Sequence, residues 1–213
     1  METLVVEKLA QTRVPIHNLL RRRWSPRAFS EQPVEDEKLL SLLEAARWAP
    51  SSANEQPWNF IVATKDDHEI YNCLFACLSE RNHRWADRAP VIILAVAKLH
   101  YDRTGTPNRH AWYDVGQSVA HLTVQATAVG LSVHQLGGFS AEKARELFAI
   151  PDGFEPVVIL ATGYADASDV VPDDFRQREE APRLRKPLET FVFTDAWGKP
   201  SRHISGTTDF SQD

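Results

Sequence analysis

Residues 91–97 form an unbroken apolar run, Val-Ile-Ile-Leu-Ala-Val-Ala. A run of this length, rich in β-branched residues, is typical of a strand that is covered on both faces. Residues 156–162 form a second buried strand of this kind, and residues 58–64 and 131–136 add two further candidate strands. The sequence therefore predicts a central sheet with a layer of helices on each side.

Helices are predicted between these strands from the 3.6-residue spacing of apolar positions, from acidic first turns and from capping residues. They cover residues 15–23, 35–48, 66–79, 111–129 and 140–148. Strands and helices do not alternate as regular βαβ units. No strand is followed by Gly-x-Gly-x-x-Gly, and no P-loop is present. These patterns favour an α+β sandwich over a dinucleotide-binding Rossmann domain.

Length and charge limit the classes of protein that remain. A chain of 213 residues fits a single domain, for which we expect a core over residues 12–194 and a tail over 195–213. The net charge of −5 argues against a general nucleic-acid binder. The longest apolar stretch, residues 89–97, is far shorter than the ~20 residues that span a bilayer. No leader pattern is visible at residues 1–4, so we expect a cytoplasmic protein with no membrane partner.

Residues 21–27 carry four arginines and no acid, which stands out in an acidic chain. Guanidinium groups bind phosphate oxygens through paired hydrogen bonds. In an extended segment Arg23, Ser25 and Arg27 project to the same side, an arrangement suited to a terminal phosphate. The alternative is a solvated basic patch at the end of a helix.

A second basic segment, Arg183-Leu184-Arg185-Lys186, lies about 160 positions further along the chain. Alone it fits an ordinary solvated loop. If the two segments meet in the fold, their charges repel unless an anion lies between them.

Two further segments are candidates for binding a flat ligand. The turn over residues 50–57 presents Ser51, Ser52, Asn54 and Gln56 between prolines, and an ordinary polar turn is the alternative. At the end of a predicted strand, Gly137 and Gly138 permit a ligand to approach the backbone closely, and a plain strand-to-helix turn is the alternative.

The sequence offers little support for a metal site, a disulfide or a catalytic nucleophile. The histidines lack a compact metal-binding spacing, so no metal is expected. Cys73 and Cys77 suit one face of a helix better than a disulfide. No Gly-x-Ser-x-Gly is present and no base is apparent beside a nucleophile. A phosphate clamp without a nucleophile indicates a ligand that brings its own reactivity.

The order of these motifs resembles the FMN-dependent nitroreductase family. The family's opening Arg-x-Ser-x-Arg-x-aromatic reads Arg-Trp-Ser-Pro-Arg-Ala-Phe at residues 23–29, and its Pro-Ser-Ser-x-Asn-x-Gln-Pro-Trp is complete at residues 50–58. Further matches are Ala-Val-Gly-Leu at 128–131, Ile-Pro-Asp-Gly-Phe-Glu-Pro at 150–156 and Arg-Leu-Arg-Lys-Pro-Leu at 183–188. The resemblance spans roughly residues 16–190, and it departs from many members by having a tryptophan at position 24.

This resemblance implies a three-layer sandwich with a mixed, mainly antiparallel central sheet, in a homodimer that holds FMN at its interface. A strand over residues 190–194 would be exchanged between the two subunits. The implied contacts fall into three groups: Arg23, Trp24, Ser25, Arg27, Arg183 and Arg185 at the phosphate; Pro50, Ser51, Ser52 and Asn54 reaching the flavin from the neighbouring subunit; and Leu136, Gly137 and Gly138 along the isoalloxazine ring, with the Gly137 N–H near N5.

The implied activity is ping-pong transfer of electrons from NADH or NADPH, through the flavin, to a nitroaromatic, a quinone or free flavin. Residues 98–112 would shape the pocket for this small-molecule acceptor. Three alternatives remain open from the sequence: an FMN enzyme with a narrower reaction such as dehalogenation or ring oxidation, a non-catalytic flavin- or nucleotide-binding module, and an interaction protein whose arginines are simply solvated.

Overall fold

The computed structural model describes residues 8–204 and contains one four-stranded sheet flanked by helices. Along the chain the elements are α1 (Asn18–Arg22), α2 (Asp36–Arg47), β1 (Trp58–Thr64), α3 (His68–Ala76), α4 (Glu80–Ala86), β2 (Val91–Lys98), α5 (Ala111–Ala128), β3 (Ser132–Leu136), α6 (Ala141–Leu147), β4 (Phe154–Gly163) and α7 (Asp173–Glu180). The four predicted strands and the five predicted helices are all present, with α1 and α3 shorter than expected.

The sheet has the order β1-β2-β4-β3 and is antiparallel at each junction. The apolar run of β2 therefore lies in the interior of the sheet, paired with β1 on one edge and with β4 on the other. Its side chains alternate between two cores. Ile92 and Leu94 pack on one face with α3 and α6, while Ile93 and Ala95 pack on the other with α2 and α5. A strand buried on both faces thus builds a three-layer α+β sandwich, as predicted.

Local signals explain where several helices begin and end. Asp36 and Glu37 lie in the first turn of α2, where carboxylates suit the positive end of a helix. The Ser140 hydroxyl accepts a hydrogen bond from the Lys143 N–H and caps α6. Gly130 has a φ of 80° just after α5, which lets the chain turn directly into β3.

One expectation about secondary structure was wrong for the single chain. Residues 190–194 do not form a strand: within residues 8–204 a one-turn 3₁₀ helix covers Leu188–Thr190, and Phe193 makes only an isolated bridge to Pro200. A strand needs a neighbour to bond, and a single chain offers none there. Within residues 8–204 the sheet is antiparallel at every pairing, and exchange of this segment with a second copy stays a prediction. Helices α4 and α7 were not among the predicted helices.

The predicted tail begins with ordered packing. Ser201 is buried, and its N–H donates to the Val192 carbonyl at 2.9 Å. Residues 205–213 of the predicted tail lie outside the described residues. The single domain with a core over 12–194 stays a prediction.

Gly163 is expected to tolerate no side chain. A Cβ added there would lie 2.5 Å from Pro90 Cδ, and a proline ring cannot rotate away. We expect Gly163→Ala to lower the free energy of unfolding by about 1–3 kcal/mol, as overpacked cores do. Gly137→Ala is the matched control, because a Cβ at that position meets nothing within 4 Å. Urea unfolding of both variants tests this: equal stabilities for the two would contradict it.

Candidate functional site

The two basic segments meet around one cavity of about 190 Å³. Five of the residues singled out from the sequence for a phosphate lie on its wall together with Trp24. The lining consists of Lys8, Arg23, Trp24, Ser25, Arg27, Arg178, Glu179, Ala181, Pro182, Arg183 and Arg185. The segment after α1 supplies one side and the segment after α7 supplies the other. Residues about 160 positions apart in sequence therefore share a strongly basic wall.

Arg23 is a half-buried arginine of this wall. Its Nη1 donates to the Ser25 hydroxyl at 3.1 Å, which fixes both side chains toward the same side of the extended segment. Burial lowers the pKa of Arg23, and the nearby charges of Arg183 and Arg185 lower it further. Because like charges raise the free energy of one another, an anion in the cavity would relieve this repulsion.

Arg183 and Arg185 differ in what they contact. Arg183 donates to the backbone carbonyls of Lys8, Arg21 and Arg23 at 2.6, 2.9 and 2.7 Å. It therefore ties the segment after α7 to the segment after α1 and shapes the cavity. Arg185 is exposed and donates within its own segment, to the Leu184 carbonyl at 2.8 Å. Of the two, Arg185 has the larger share of its donors available to a ligand.

Arg27 is held by a carboxylate that the sequence did not reveal. The backbone N–H of Arg27 donates to Glu179 Oε1 at 2.9 Å, and its Nη1 lies 3.3 Å from the same oxygen. Its guanidinium also lies 6.0 Å from the Trp85 ring and 5.9 Å from the Phe175 ring. Arg27 is thus fixed from three directions at the edge of the cavity.

Two more residues at the site were missed. Lys8 lies over the Trp24 ring, with its ammonium 5.0 Å from the ring centre, and also donates to the Glu179 carbonyl. His134 on β3 donates through Nδ1 to the Pro26 carbonyl at 2.8 Å, inside the arginine segment. Neither has a local sequence signal, since each acts through a contact with a distant segment.

His134 should make stability fall in mild acid. Burial lowers its pKa to about 4, below its ordinary value of 6.5, so the folded protein resists the proton that the unfolded chain accepts. The contribution of neutral His134 to the free energy of unfolding is complete above about pH 6.5 and is lost as the pH falls toward 4. The free energy of unfolding should therefore fall by about 2 kcal/mol between pH 7 and pH 5. Urea unfolding of wild type and His134→Gln measures it, with exposed His121→Gln as control. Parallel pH profiles for wild type and His134→Gln would refute this assignment.

The turn over residues 50–54 lies apart from the arginine cavity, since Pro50, Ser51, Ser52 and Asn54 do not line it. Its backbone is strained: Ala53 and Asn54 have φ values of 53° and 55°. The buried carboxylate of Asp114 on α5 holds the turn by accepting the Ser52 N–H at 3.0 Å. The Ser52 hydroxyl lies 3.1 Å from the Tyr101 hydroxyl. Sequence reasoning missed Asp114 and Tyr101.

The glycines after β3 form an open surface. Gly137 and Gly138 are exposed while Leu136 beside them is buried. The Gly138 carbonyl accepts the Ser79 N–H at 2.9 Å and Asn82 Nδ2 at 3.0 Å, which fixes the backbone after the strand. A side chain on Gly137 would meet only open space. A flat ligand can therefore approach this backbone closely.

Comparison with known proteins decides what kind of chain this is. A sequence model of the nitroreductase family matches residues 20–82 and 76–164. The chain belongs to the nitroreductase family. The matched region includes the arginines of the first basic segment from residue 21, the turn over residues 50–57 and the two glycines, so the resemblance drawn from the motifs is confirmed.

Several known proteins are similar to this chain over most of its length. A solved structure described as an oxidoreductase containing FMN has 34% sequence identity and a TM-score of 0.83, and covers 88% of this chain and 95% of its own. A putative NADH dehydrogenase/NAD(P)H nitroreductase of Stenotrophomonas maltophilia is 25% identical over 175 residues, 74% of this chain and 88% of that protein. Iodotyrosine deiodinase 1 of Rattus norvegicus is 26% identical over 183 residues, 74% and 64% of the respective chains.

Metal and membrane features are absent from the part of this nitroreductase-family chain that the structure describes. Between residues 8 and 204 there is no group of three or more histidine, cysteine or acidic residues placed to hold a metal ion. Over the same residues, no helix is long and apolar enough to cross a bilayer. Cys73 and Cys77 are both free thiols on or beside α3, as their spacing predicted.

Proposed function

We propose that this protein is an FMN-dependent oxidoreductase that passes electrons from NADH or NADPH to a nitroaromatic, a quinone or a similar acceptor. The observation that carries the proposal is the convergence of two distant arginine segments on one cavity, in a chain of the nitroreductase family. A similar solved structure is described as containing FMN, and several relatives are named as NAD(P)H nitroreductases.

The cavity fits the phosphate end of FMN. Arg23, Ser25 and Arg185 can donate to a phosphate monoester, which carries nearly two negative charges at neutral pH. The volume of about 190 Å³ is below the ~300–1,000 Å³ of pockets that enclose a whole ligand. The flavin ring would therefore lie outside the cavity, along the open backbone of Gly137 and Gly138.

Bound FMN would supply the redox chemistry, by accepting a hydride at N5 and giving electrons to the acceptor. The chain supplies position and electrostatics. The arginine wall orients the phosphate, and the Gly137 N–H offers a donor that depends on no side chain. The absence of Cβ atoms at residues 137 and 138 leaves room for the ring to lie against the backbone.

A second copy of the chain would complete the site. The strained turn over residues 50–54 does not line the arginine cavity of its own chain, which fits a role toward the flavin of a partner subunit. Large apolar side chains are exposed on α2 and around the start of α5, namely Leu40, Trp48, Trp112 and Tyr113. Burying such side chains against a second copy would remove apolar area from water.

The acceptor pocket would include the loop over residues 99–108. This loop is compact: the Tyr101 N–H donates to the Thr106 carbonyl, and His100 bridges to Pro107. It is also attached to the turn over residues 50–57, because the Asp102 N–H donates to Glu55 Oε1 at 2.6 Å. A loop fixed in this way beside a flavin-facing turn can select acceptors by shape.

The proposed function is tested by the absorption spectrum of the purified protein under anaerobic conditions. Flavin bands are expected that bleach on adding NADH or NADPH and return when a nitroaromatic or quinone is added. Protein that takes up no added FMN would contradict the proposal. Protein that holds FMN but accepts no hydride from either nicotinamide would be a non-catalytic flavin-binding module.

Reductive dehalogenation is the second candidate, because iodotyrosine deiodinase 1 of Rattus norvegicus is among the similar proteins. A screen of single-turnover reoxidation with pre-reduced protein distinguishes the two reactions. Faster reoxidation by an iodinated phenol than by a quinone or a nitroaromatic would favour the dehalogenase.

A further inference from the structure

A buried carboxylate in the arginine cavity is not explained by phosphate binding alone. Glu179 lies in the last turn of α7 and its side chain is almost fully buried. Its Oε1 accepts two hydrogen bonds from Arg27, while its Oε2 is buried without a hydrogen-bond partner among the described residues. An ionised oxygen buried in this way is costly unless something compensates for it.

The surroundings of Glu179 make its charge responsive to a ligand. The charged groups around it are Lys8 from the N-terminal segment, Arg23 and Arg27 from the segment after α1, Arg178 from its own helix, and Arg183 and Arg185 beyond it. Glu180 does not line the cavity and accepts a hydrogen bond from the Ser168 hydroxyl instead. Burial raises the pKa of the Glu179 carboxyl, and the hydrogen bonds and charge of Arg27 oppose that shift. Desolvation thus favours the protonated form of Glu179, and the cationic neighbours favour the ionised form.

A phosphate in this cavity would compete with Glu179 for Arg27 and would repel the carboxylate. Both effects favour protonation of Glu179, because a carboxylic acid carries no charge for the phosphate to repel and is less costly to bury without a partner at Oε2. We infer that Glu179 shares Arg27 with the phosphate of the ligand and takes up a proton from solvent when that phosphate binds. This inference rests on the proposed function, since it takes FMN as the ligand.

The direction in which FMN affinity changes with pH follows from the linkage between proton binding and ligand binding. A group that gains a proton on binding weakens binding as the pH rises, by up to about tenfold per pH unit between its pKa values in the free and the bound protein. The phosphate of FMN titrates near pH 6 in the opposite sense. Glu179→Gln keeps the shape of the side chain and removes the proton uptake by Glu179, while the titration of the FMN phosphate remains. The ratio of wild-type to variant affinity therefore isolates the contribution of Glu179.

The experiment is calorimetric titration with FMN from pH 5 to pH 9, in pairs of buffers that differ in ionisation enthalpy. Wild type is expected to take up more protons than Glu179→Gln, by as much as about one proton per site. The affinity of wild type relative to Glu179→Gln should fall as the pH rises. Glu180→Gln, one residue away and exposed, should behave as wild type does. Riboflavin, which lacks the phosphate, should reveal no difference in proton uptake.

Equal proton counts in wild type and Glu179→Gln, with an affinity ratio that is constant with pH, would overturn the inference while leaving FMN binding intact. A uniform loss of affinity at every pH would also overturn it, because it would give Glu179 a purely structural role. Failure of the wild-type protein to bind FMN at any pH would instead refute the proposed function.

Discussion

Reversing the charge at Arg185 is expected to weaken FMN binding by roughly 30- to 150-fold, which corresponds to about 2–3 kcal/mol. Arg185 lines the cavity, is exposed, and donates only within its own segment in the hydrogen bonds described above. Arg185→Glu therefore removes donors to the phosphate and adds repulsion without breaking a contact that holds the fold. Fluorescence titration of FMN into the apoprotein measures the effect.

Lys186→Glu is the matched control for Arg185→Glu. It makes the same change of charge one position along, at an exposed residue that does not line the cavity. Its FMN affinity should stay within a few-fold of wild type. Comparable losses in both variants would mean that the general positive field, rather than a phosphate contact of Arg185, attracts FMN.

Placing an arginine at Gly116 is expected to separate the proposed homodimer and empty its flavin sites. Gly116 is exposed on α5, one turn after Trp112, and a Cβ there meets nothing within 4 Å in a single chain. The monomer should tolerate Gly116→Arg, because arginine also stabilises a helix by up to about 1 kcal/mol relative to glycine. An unpaired charge in an interface costs about 3–5 kcal/mol, so the dimer should weaken by more than about a hundredfold.

Light scattering coupled to size-exclusion chromatography tests Gly116→Arg against the chain mass of 24.1 kDa. Wild type should elute at about twice that mass with bound flavin, and the variant at the chain mass with little flavin. Glu146→Arg is the control, because it puts the same side chain on the exposed surface of α6 in the opposite helical layer. A Gly116→Arg protein that remains dimeric and yellow would exclude this face of α5 from the interface.

The central sheet and the long helices could be predicted because their signals are local. An apolar run such as residues 91–97 identifies a buried strand, and Ser140 and Gly130 mark helix ends within a few residues. By contrast, α7 has only one buried apolar residue, Phe175, among charged ones, so its periodicity gave no signal. The strand expected over residues 190–194 was wrong for a different reason: strand formation depends on a neighbouring strand.

In the candidate site, too, some residues could be predicted from local sequence and others could not. Arg23, Ser25 and Arg185 were found from the sequence because their residue types and spacing suit a phosphate. Glu179 and His134 were not, because their roles depend on contacts with residues more than 100 positions away, Arg27 and Pro26. Long-range partners of this kind become visible only once the chain is folded.

The claim on which the account depends is that arginines distant in sequence grip one phosphate. Comparing the affinities of the apoprotein for FMN and for riboflavin tests it most directly, because the two ligands differ only in that group. We expect FMN to bind at least about a hundredfold more tightly than riboflavin, because its phosphate adds several charge-assisted hydrogen bonds. Equal affinities for the two ligands would contradict it.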